Sequence, residues 1–530
     1  MTIATTSTTS TTSTTSTTDT TTGEPELKTF ESLNPATGDV VGIHPIDDEA
    51  TVREAVRRAR ADAGWWDELG FGGRKEVLGK WRGVLARRLA ELAAVVHDET
   101  GKPHADAQLE IGLAIDHLAW AAGHAGKVLG PTKSFAGLLM ANQSASVEYR
   151  PLGVIGVIGP WNYPVFTPMG SIGYALAAGN TVVFKPSELT PGVGEWLAAS
   201  LREVVPDRAL FQVVTGLGET GAALCTAGVN KLAFTGSTDT GKKVMAACAQ
   251  TLTPVIIEAG GKDALLVDAD ADIDAAAEAA AWGAFSNAGQ TCIGVERVYV
   301  HAQVHDEFVA ALVAKATSVH PGGGADASYG PATMPKQLDV IRGHIDDALA
   351  SGGRALIGGA GAVGERFVQP TVLVDVPEDS PANTDETFGP TVTVKKVASM
   401  DEAVRLANAT RYGLGSTVFS KANGRSIARQ LRSGMTAVND VISFAAIPAL
   451  PFGGVGDSGF GRIHGADGLK EFTYAHSIAS RRMKPVLLLT TFNRTAKQDT
   501  TFAQMILALH GRASTMSLPA TGLGKLRRKR

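Results

Sequence analysis

Cysteine is scarce, with three residues in a chain of 530. Cys225, Cys248 and Cys292 are too few for a disulfide framework, and none stands in a CxxC pair or beside histidines at zinc-ligand spacing, so no metal site is expected. An excess of one charge is also missing. Lys plus Arg number 49 against 53 Asp plus Glu, a formal net charge of -4, so no global field draws nucleic acid or an anionic membrane. No apolar run reaches the roughly 18 residues a membrane span needs, and the N-terminus lacks the charged-then-apolar pattern of a signal peptide. These absences leave small-molecule chemistry in a reducing, cytoplasmic compartment as the expectation. With 44% hydrophobic residues the chain is globular, and it is too long for a single core.

The first 26 residues are a Ser/Thr repeat with almost nothing apolar, which cannot offset its own ordering entropy and reads as a disordered tail. From Glu49 to about Gly130, apolar residues return every three or four positions in three segments, the pattern of amphipathic helices covering a sheet. From Pro151 the texture changes. Short β-branched runs (GVIGVIG, NTVVFKP, LFQVVTG, KLAFTGS, TPVIIEAGG) alternate with helix-length segments, the signature of a parallel, doubly wound sheet. Ligands gather at the carboxyl ends of such strands, and here those ends read PWNYP, KPSE, TGLGETG, FTGST and EAGGK. A second alternation begins near Gly261 and predicts a second α/β domain, with the site where the two domains face each other.

Each motif has a bland reading and a functional one. GLGETG at Gly216–Gly221 fits the dinucleotide GxGxxG pattern, but no acidic residue ends a strand about twenty residues on, so by itself it is a tight strand-to-helix turn. FTGSTDTG is the better phosphate candidate, because Gly236 and Ser237 leave backbone N–H groups open at a helix N-terminus. In KPSE, Lys185 and Glu188 are either a surface ion pair or contacts to ribose hydroxyls, and Glu188 discourages a 2′-phosphate. Glu258 closes an apolar strand, where a carboxylate is a general base or the partner of Lys262. Asn162 is an oxyanion donor or a turn former between two prolines. Cys225 and Cys248 lie in apolar helical segments and read as structural thiols. Cys292 follows Gly289, Gln290 and Thr291, where helical periodicity breaks and a thiol can enter a cleft.

PWNYP, KPSE, FTGSTDTG, EAGGK, GQTC, ETFGP at Glu386–Pro390 and PFGGVGDSGFGR at Pro451–Arg462 occur in the order and spacing of one family. From about Asn34 to Ala479 the chain resembles the aldehyde dehydrogenase superfamily, in motif wording similar to its broad-specificity and succinate-semialdehyde-type members. The resemblance implies two Rossmann-like α/β domains plus a small β oligomerisation element. The NAD(P)-binding domain would span 27–132 and 152–260, the catalytic domain 261–455, and the oligomerisation element 133–151 and 456–482, followed by an extension over 483–530. It further implies that Cys292 is the nucleophile, Asn162 the oxyanion donor and Glu258 the base that hydrolyses a thioester. Lys185 and Glu188 would contact ribose, Gly236 and Ser237 pyrophosphate, and Gly218 the adenine pocket, with Glu386 and Phe388 at the nicotinamide half. The implied cofactor is NAD, with NADP as the alternative, and the implied partners are an aldehyde substrate and further copies of the chain in a homodimer or homotetramer.

Two positions depart from the family wording, Ala259 where Leu is usual and Asp263 where Ser or Asn is commoner. Two rival classes are a relative that passes its thioester to coenzyme A, which usually lacks a Glu at position 258, and a catalytically idle protein of the same fold, in which the nucleophile is commonly lost. FAQMILAL and the terminal KLRRKR raise membrane contact as the weaker reading of the tail, the stronger being a solvated end.

Overall fold

The computed structural model describes residues 28–324, 326–485 and 487–511; the Ser/Thr repeat and the KLRRKR end lie outside them. The described chain divides into two compact units. One contains Pro151–Phe472 with the chain up to Ala125, and the other contains Gly126–Arg150 with the chain from Thr473 onward.

The first unit holds two mixed sheets within an α/β framework. The smaller has six strands, in the order Gly459–Phe460, Val255–Ala259, Lys231–Gly236, Val154–Ile158, Thr181–Lys185 and Phe211–Val213, all parallel except the short first one. Chain order reverses between Val154–Ile158 and Lys231–Gly236, so the loops after these two strands diverge and leave a crevice at their carboxyl ends. The seven-stranded sheet centres on Val295–His301, which pairs with Asp263–Val267, and that strand in turn pairs with Ser416–Phe419. Its edge strand Arg354–Ile357 runs antiparallel. In the second unit, Thr132–Ser134, Gln143–Pro151 and Thr473–Arg481 form a three-stranded sheet.

Local chemistry sets the helix boundaries. Asp48 caps Glu49–Glu68 by accepting from the Thr51 amide at 2.8 Å. The long periodic segment after it is two helices, Gly70–Arg87 and Leu89–Thr100, because Arg88 leaves the helical region at φ -107° and ψ 22° while its guanidinium pairs with Glu91 and Glu203. Trp66 and Trp81, both fully buried, anchor this layer: the indole N–H of Trp66 donates to the Leu176 carbonyl and that of Trp81 to Ser200. FAQMILAL falls in the helix Ala496–His510, and no helix among the described residues is long and apolar enough to cross a membrane.

A buried ion pair links the helical layer to the crevice. Lys102 and Glu110, both 2% exposed, meet at 2.6 Å. The second Glu110 oxygen accepts from the amides of Val165 and Phe166 at 2.7 and 3.0 Å, and Lys102 donates to the Asn162 carbonyl at 2.8 Å. The PWNYP turn therefore hangs on a charge pair that cannot relax into water. Glu110→Ala strands the Lys102 ammonium and is expected to lower the unfolding free energy by about 3–5 kcal/mol in urea titrations; an unchanged urea midpoint refutes this account.

Candidate active site

The helix Ile273–Phe285 is capped by Asp272 and built from alanines that pack against the seven-stranded sheet. It stops because Asn287, Ala288 and Gly289 take left-handed backbone, at φ 52°, 58° and 69°. Asparagine tolerates this region, alanine does so at a cost of about 1–2 kcal/mol, and glycine enters freely. Side chains stabilise the reversal. Asn287 donates to the carbonyls of Asn162 and Gln290, Gln290 donates back to the Asn287 carbonyl, and the Gln290 oxygen accepts from the Thr333 amide at 2.8 Å. A Cβ on Gly289 would lie 2.1 Å from the Gly389 carbonyl, so GQTC and ETFGP touch backbone to backbone. The turn delivers Cys292, partly exposed, to the junction of two cavities.

The larger cavity is a cleft of about 1290 Å³ whose lining brings together Asn162, Gly236, Ser237, Glu258, Cys292, Glu386 and Phe388. Lys185, Glu188 and Gly218 lie outside that lining, on the ends of neighbouring strands of the six-stranded sheet. Lys185 is buried, donates to the Pro186 carbonyl at 2.8 Å and stands 3.9 Å from the half-exposed Glu188 carboxylate. Gly218 opens the helix Gly218–Thr226, and a Cβ there would meet no atom within 4 Å. Ser237 caps Thr238–Ala249 by accepting from the Thr240 amide. The positive end of that helix thus opens on the cleft, an arrangement that fits a dinucleotide phosphate.

Carboxyl groups crowd the sulfur. Glu258 is 2% exposed and neither of its oxygens finds a hydrogen-bond partner, so burial pushes its pKa up to about 7 against the pull of Thr235 and Cys292. Burial likewise raises Asp263 and Glu386 to about 8. The Cys292 thiol is pushed well above its ordinary value, first by desolvation and then by Glu258, Glu386 and Asp263. The Asn162 amide donates one N–H to the Gln290 carbonyl at 2.9 Å, which fixes its plane and leaves the other N–H for the cleft it lines.

Several supporting residues were not legible in the sequence. Lys262 pairs with Glu296 rather than with Glu258. Glu296 in turn accepts from the amides of Thr387 and Phe388, each at 2.9 Å, and so carries the ETFGP loop. Glu386 accepts from the Gly261 amide at 3.0 Å, and Phe388 meets Trp161 edge to face, with ring centroids 5.6 Å apart. The available signal was a glutamate inside the apolar run GVERVYV, whose cost demanded a buried cation. Asp263 has room because residue 415 is glycine, where a Cβ would fall 2.3 Å from the Asp263 carboxyl. Cys225 and Cys248 are buried in the core of the six-stranded sheet. Among the described residues no cluster of three or more His, Cys, Asp or Glu could hold a metal ion.

The second cavity, about 770 Å³, is an apolar tunnel that shares Cys292 and Thr167 with the cleft and is lined by Leu113, Phe166, Trp282, Ile442 and Phe452 among others.

Known proteins with this arrangement are numerous. Residues 22–478 match the model of the aldehyde dehydrogenase family. The chain is 36% identical over 465 residues to 4,4'-diapolycopene aldehyde oxidase of Methylomonas sp, covering 86% of this chain and 87% of that protein. It is 35% identical to the glutarate-semialdehyde dehydrogenase of Pseudomonas aeruginosa, covering 84% and 92%. The crystal structure of an NAD-dependent aldehyde dehydrogenase from Sinorhizobium meliloti superposes with a TM-score of 0.82 at 33% identity, covering 87% of this chain and 93% of that one. With the family model spanning most of the chain and the same α/β framework in its solved relatives, this protein belongs to the aldehyde dehydrogenase family.

Proposed function

We propose that the chain oxidises an aldehyde to its carboxylic acid with NAD(P)+, through a covalent intermediate on Cys292 that is hydrolysed with Glu258 as general base. The observation that carries this reading is the position of Cys292 at the meeting point of an apolar tunnel and a polar cleft that also holds Asn162 and Glu258.

Burial first, and then the surrounding carboxyls, keep the thiol protonated at rest. Once its proton has passed to water, Cys292 attacks the carbonyl carbon as a thiolate; a C–S bond forms and the carbonyl oxygen takes the negative charge. The free N–H of the Asn162 amide and the backbone N–H of Cys292 are the donors for that oxygen, each typically worth roughly 100- to 1000-fold in rate. When bound, NAD(P)+ would supply the two-electron acceptor for the hydride that the carbon bonded to Cys292 gives up as its oxyanion collapses to a carbonyl, leaving a thioester on the sulfur. Glu258, once ionised, takes a proton from water; the water oxygen bonds to the acyl carbon, the C–S bond breaks and the sulfur leaves as thiolate. Gly236 and Ser237 would hold the pyrophosphate, Lys185 and Glu188 the ribose hydroxyls, Gly218 would border the adenine, and Glu386 with Phe388 would orient the nicotinamide half.

The Glu188 carboxylate, at a position where a 2′-phosphate would add like charge, favours NAD over NADP. The three-stranded sheet of the second unit, in which Thr132–Ser134 and Thr473–Arg481 are largely exposed beside the half-buried Gln143–Pro151, is our candidate for assembling a homodimer or homotetramer.

Three measurements test this reading. Cys292→Ala is expected to abolish NADH formation while leaving cofactor binding intact; Glu258→Gln is expected to give one burst of NADH per site, slow turnover, and loss of the wild-type rise in rate as the pH passes about 7. Near-normal turnover by either variant refutes the assigned roles. The kcat/KM for NAD+ should exceed that for NADP+, and the reverse order removes Glu188 from the specificity argument. Sedimentation equilibrium should return a multiple of the chain mass; a monomer rules out the assembly role of the sheet.

A further inference from the structure

The tunnel that shares Cys292 with the cleft is chemically one-sided. Its described walls are Leu109, Leu113, Phe166, Trp282, Ile293, Ile442, Ala445 and Phe452, with Leu109 54% and Trp282 47% exposed at the mouth. Three charged residues join them: Lys102, Glu110 and Asp106. Lys102 is the one cation in the described lining, and its donors are engaged by Glu110 at 2.6 Å and the Asn162 carbonyl at 2.8 Å, with the ammonium 4.3 Å from the centre of the Tyr163 ring. Glu110 cancels its charge, which leaves Asp106 as a surplus negative group on the wall. The uncharged polar groups are the Ser286 hydroxyl, buried without a partner, the backbone-bound Asn287 amide, Thr167, and Thr291 with the Tyr163 hydroxyl, which bond each other at 3.0 Å.

We infer that this tunnel selects uncharged, apolar aldehydes, aliphatic or aromatic, and rejects aldehydes that carry a carboxylate at the far end. The inference rests on the reading of Cys292 as nucleophile. An ω-carboxylate entering the tunnel would lose its water, find no unpaired cation in the described walls and meet Asp106; a neutral hydroxyl or two does not replace the lost hydration. An alkyl chain gains with every methylene it places against Leu113, Phe166, Ile442 and Phe452. Among straight-chain aldehydes from butanal to octanal, kcat/KM should climb roughly three- to fourfold per added methylene.

The decisive experiment compares steady-state kcat/KM of the full-length enzyme with NAD+ for octanal and succinate semialdehyde, together with Asp106→Asn and Leu109→Arg, both at partly or well exposed positions. The wild type is expected to favour octanal by about 100-fold or more, a penalty in line with burying an unpaired charge. Leu109→Arg, which adds a cation at the mouth, and Asp106→Asn, which removes the like charge, should each shift the ratio toward succinate semialdehyde by about tenfold. A wild type that oxidises succinate semialdehyde as well as octanal overturns the inference while leaving the Cys292 reading in place. So does a ratio that neither variant moves. A wild type that reduces NAD+ with neither these aldehydes nor acetaldehyde overturns the Cys292 reading, and this inference with it.

Discussion

One backbone carbonyl, that of Asn162, ties the site together. It accepts from Lys102 on the helical layer and from Asn287 in the nucleophile turn, so the amide turn, the charge pair and the sulfur-bearing loop converge on a single acceptor. The geometry of Cys292 depends on that convergence. Had the helix Ile273–Phe285 simply continued, residue 292 would lie roughly 10 Å further along its axis, since each helical residue adds about 1.5 Å. Three left-handed residues reverse the chain instead, and their lost helical hydrogen bonds are replaced by the side chains of Asn287 and Gln290. The strain at Ala288 persists because Gly289 is pressed against the Gly389 peptide and Gln290 is bonded to residues 287, 331 and 333.

Electrostatics then decides what this geometry can do. Burial first, and then Glu258, Glu386 and Asp263, hold the sulfur protonated, while the Lys262 ammonium is committed to Glu296. The cleft is short of positive charge, and a cationic ring is the complement it lacks. The same imbalance bears on stability. All three carboxyls have folded-state pKa values raised above their unfolded ones, to about 7 for Glu258 and about 8 for the others. Their contribution to folding is therefore full below about pH 4, where both states are protonated at these groups, and is lost as the pH rises through 7 to 8. Carboxyls kept out of water in this way cost stability near neutral pH.

The strand-helix alternation made five strands of the six-stranded sheet legible from Pro151 onward, because each β-branched run is bounded by Gly, Pro or a helix-length segment; the sixth, Gly459–Phe460, is two residues long and has no such signature. In the other sheet Asp263–Val267 was not singled out. It follows Val255–Ala259 with no helix between, so the alternation that marks the other strands is missing there, although the two belong to different sheets. The resemblance gave the positions of Asn162, Glu258 and Cys292, and composition gave the reason to look at Cys292 among three cysteines. What no local pattern could give is pairing over distance. Lys262 has Glu258 four residues away in sequence, yet it bonds Glu296, thirty-four residues on. Lys102 and Glu110 looked like ordinary helical charges until packing placed both out of water.

The partition of the two cavities follows from the same elements. Cys292 and Thr167 belong to both linings, whereas Glu258, Asn162 and Glu386 appear only on the cleft side. Glu258 and Asn162 therefore share the polar cleft with Gly236 and Ser237, where water can be held and charge can develop. The tunnel meets the sulfur from apolar walls, where an alkyl chain is favoured and a water file is not. Lys102 and Glu110 stand on the tunnel wall as a neutralised pair and spend their remaining bonds on the Asn162 carbonyl and the amides of Val165 and Phe166, on the turn that carries the Asn162 amide. The charge pair that positions this amide thus contributes no net charge to the tunnel, and the two linings are held by one set of contacts.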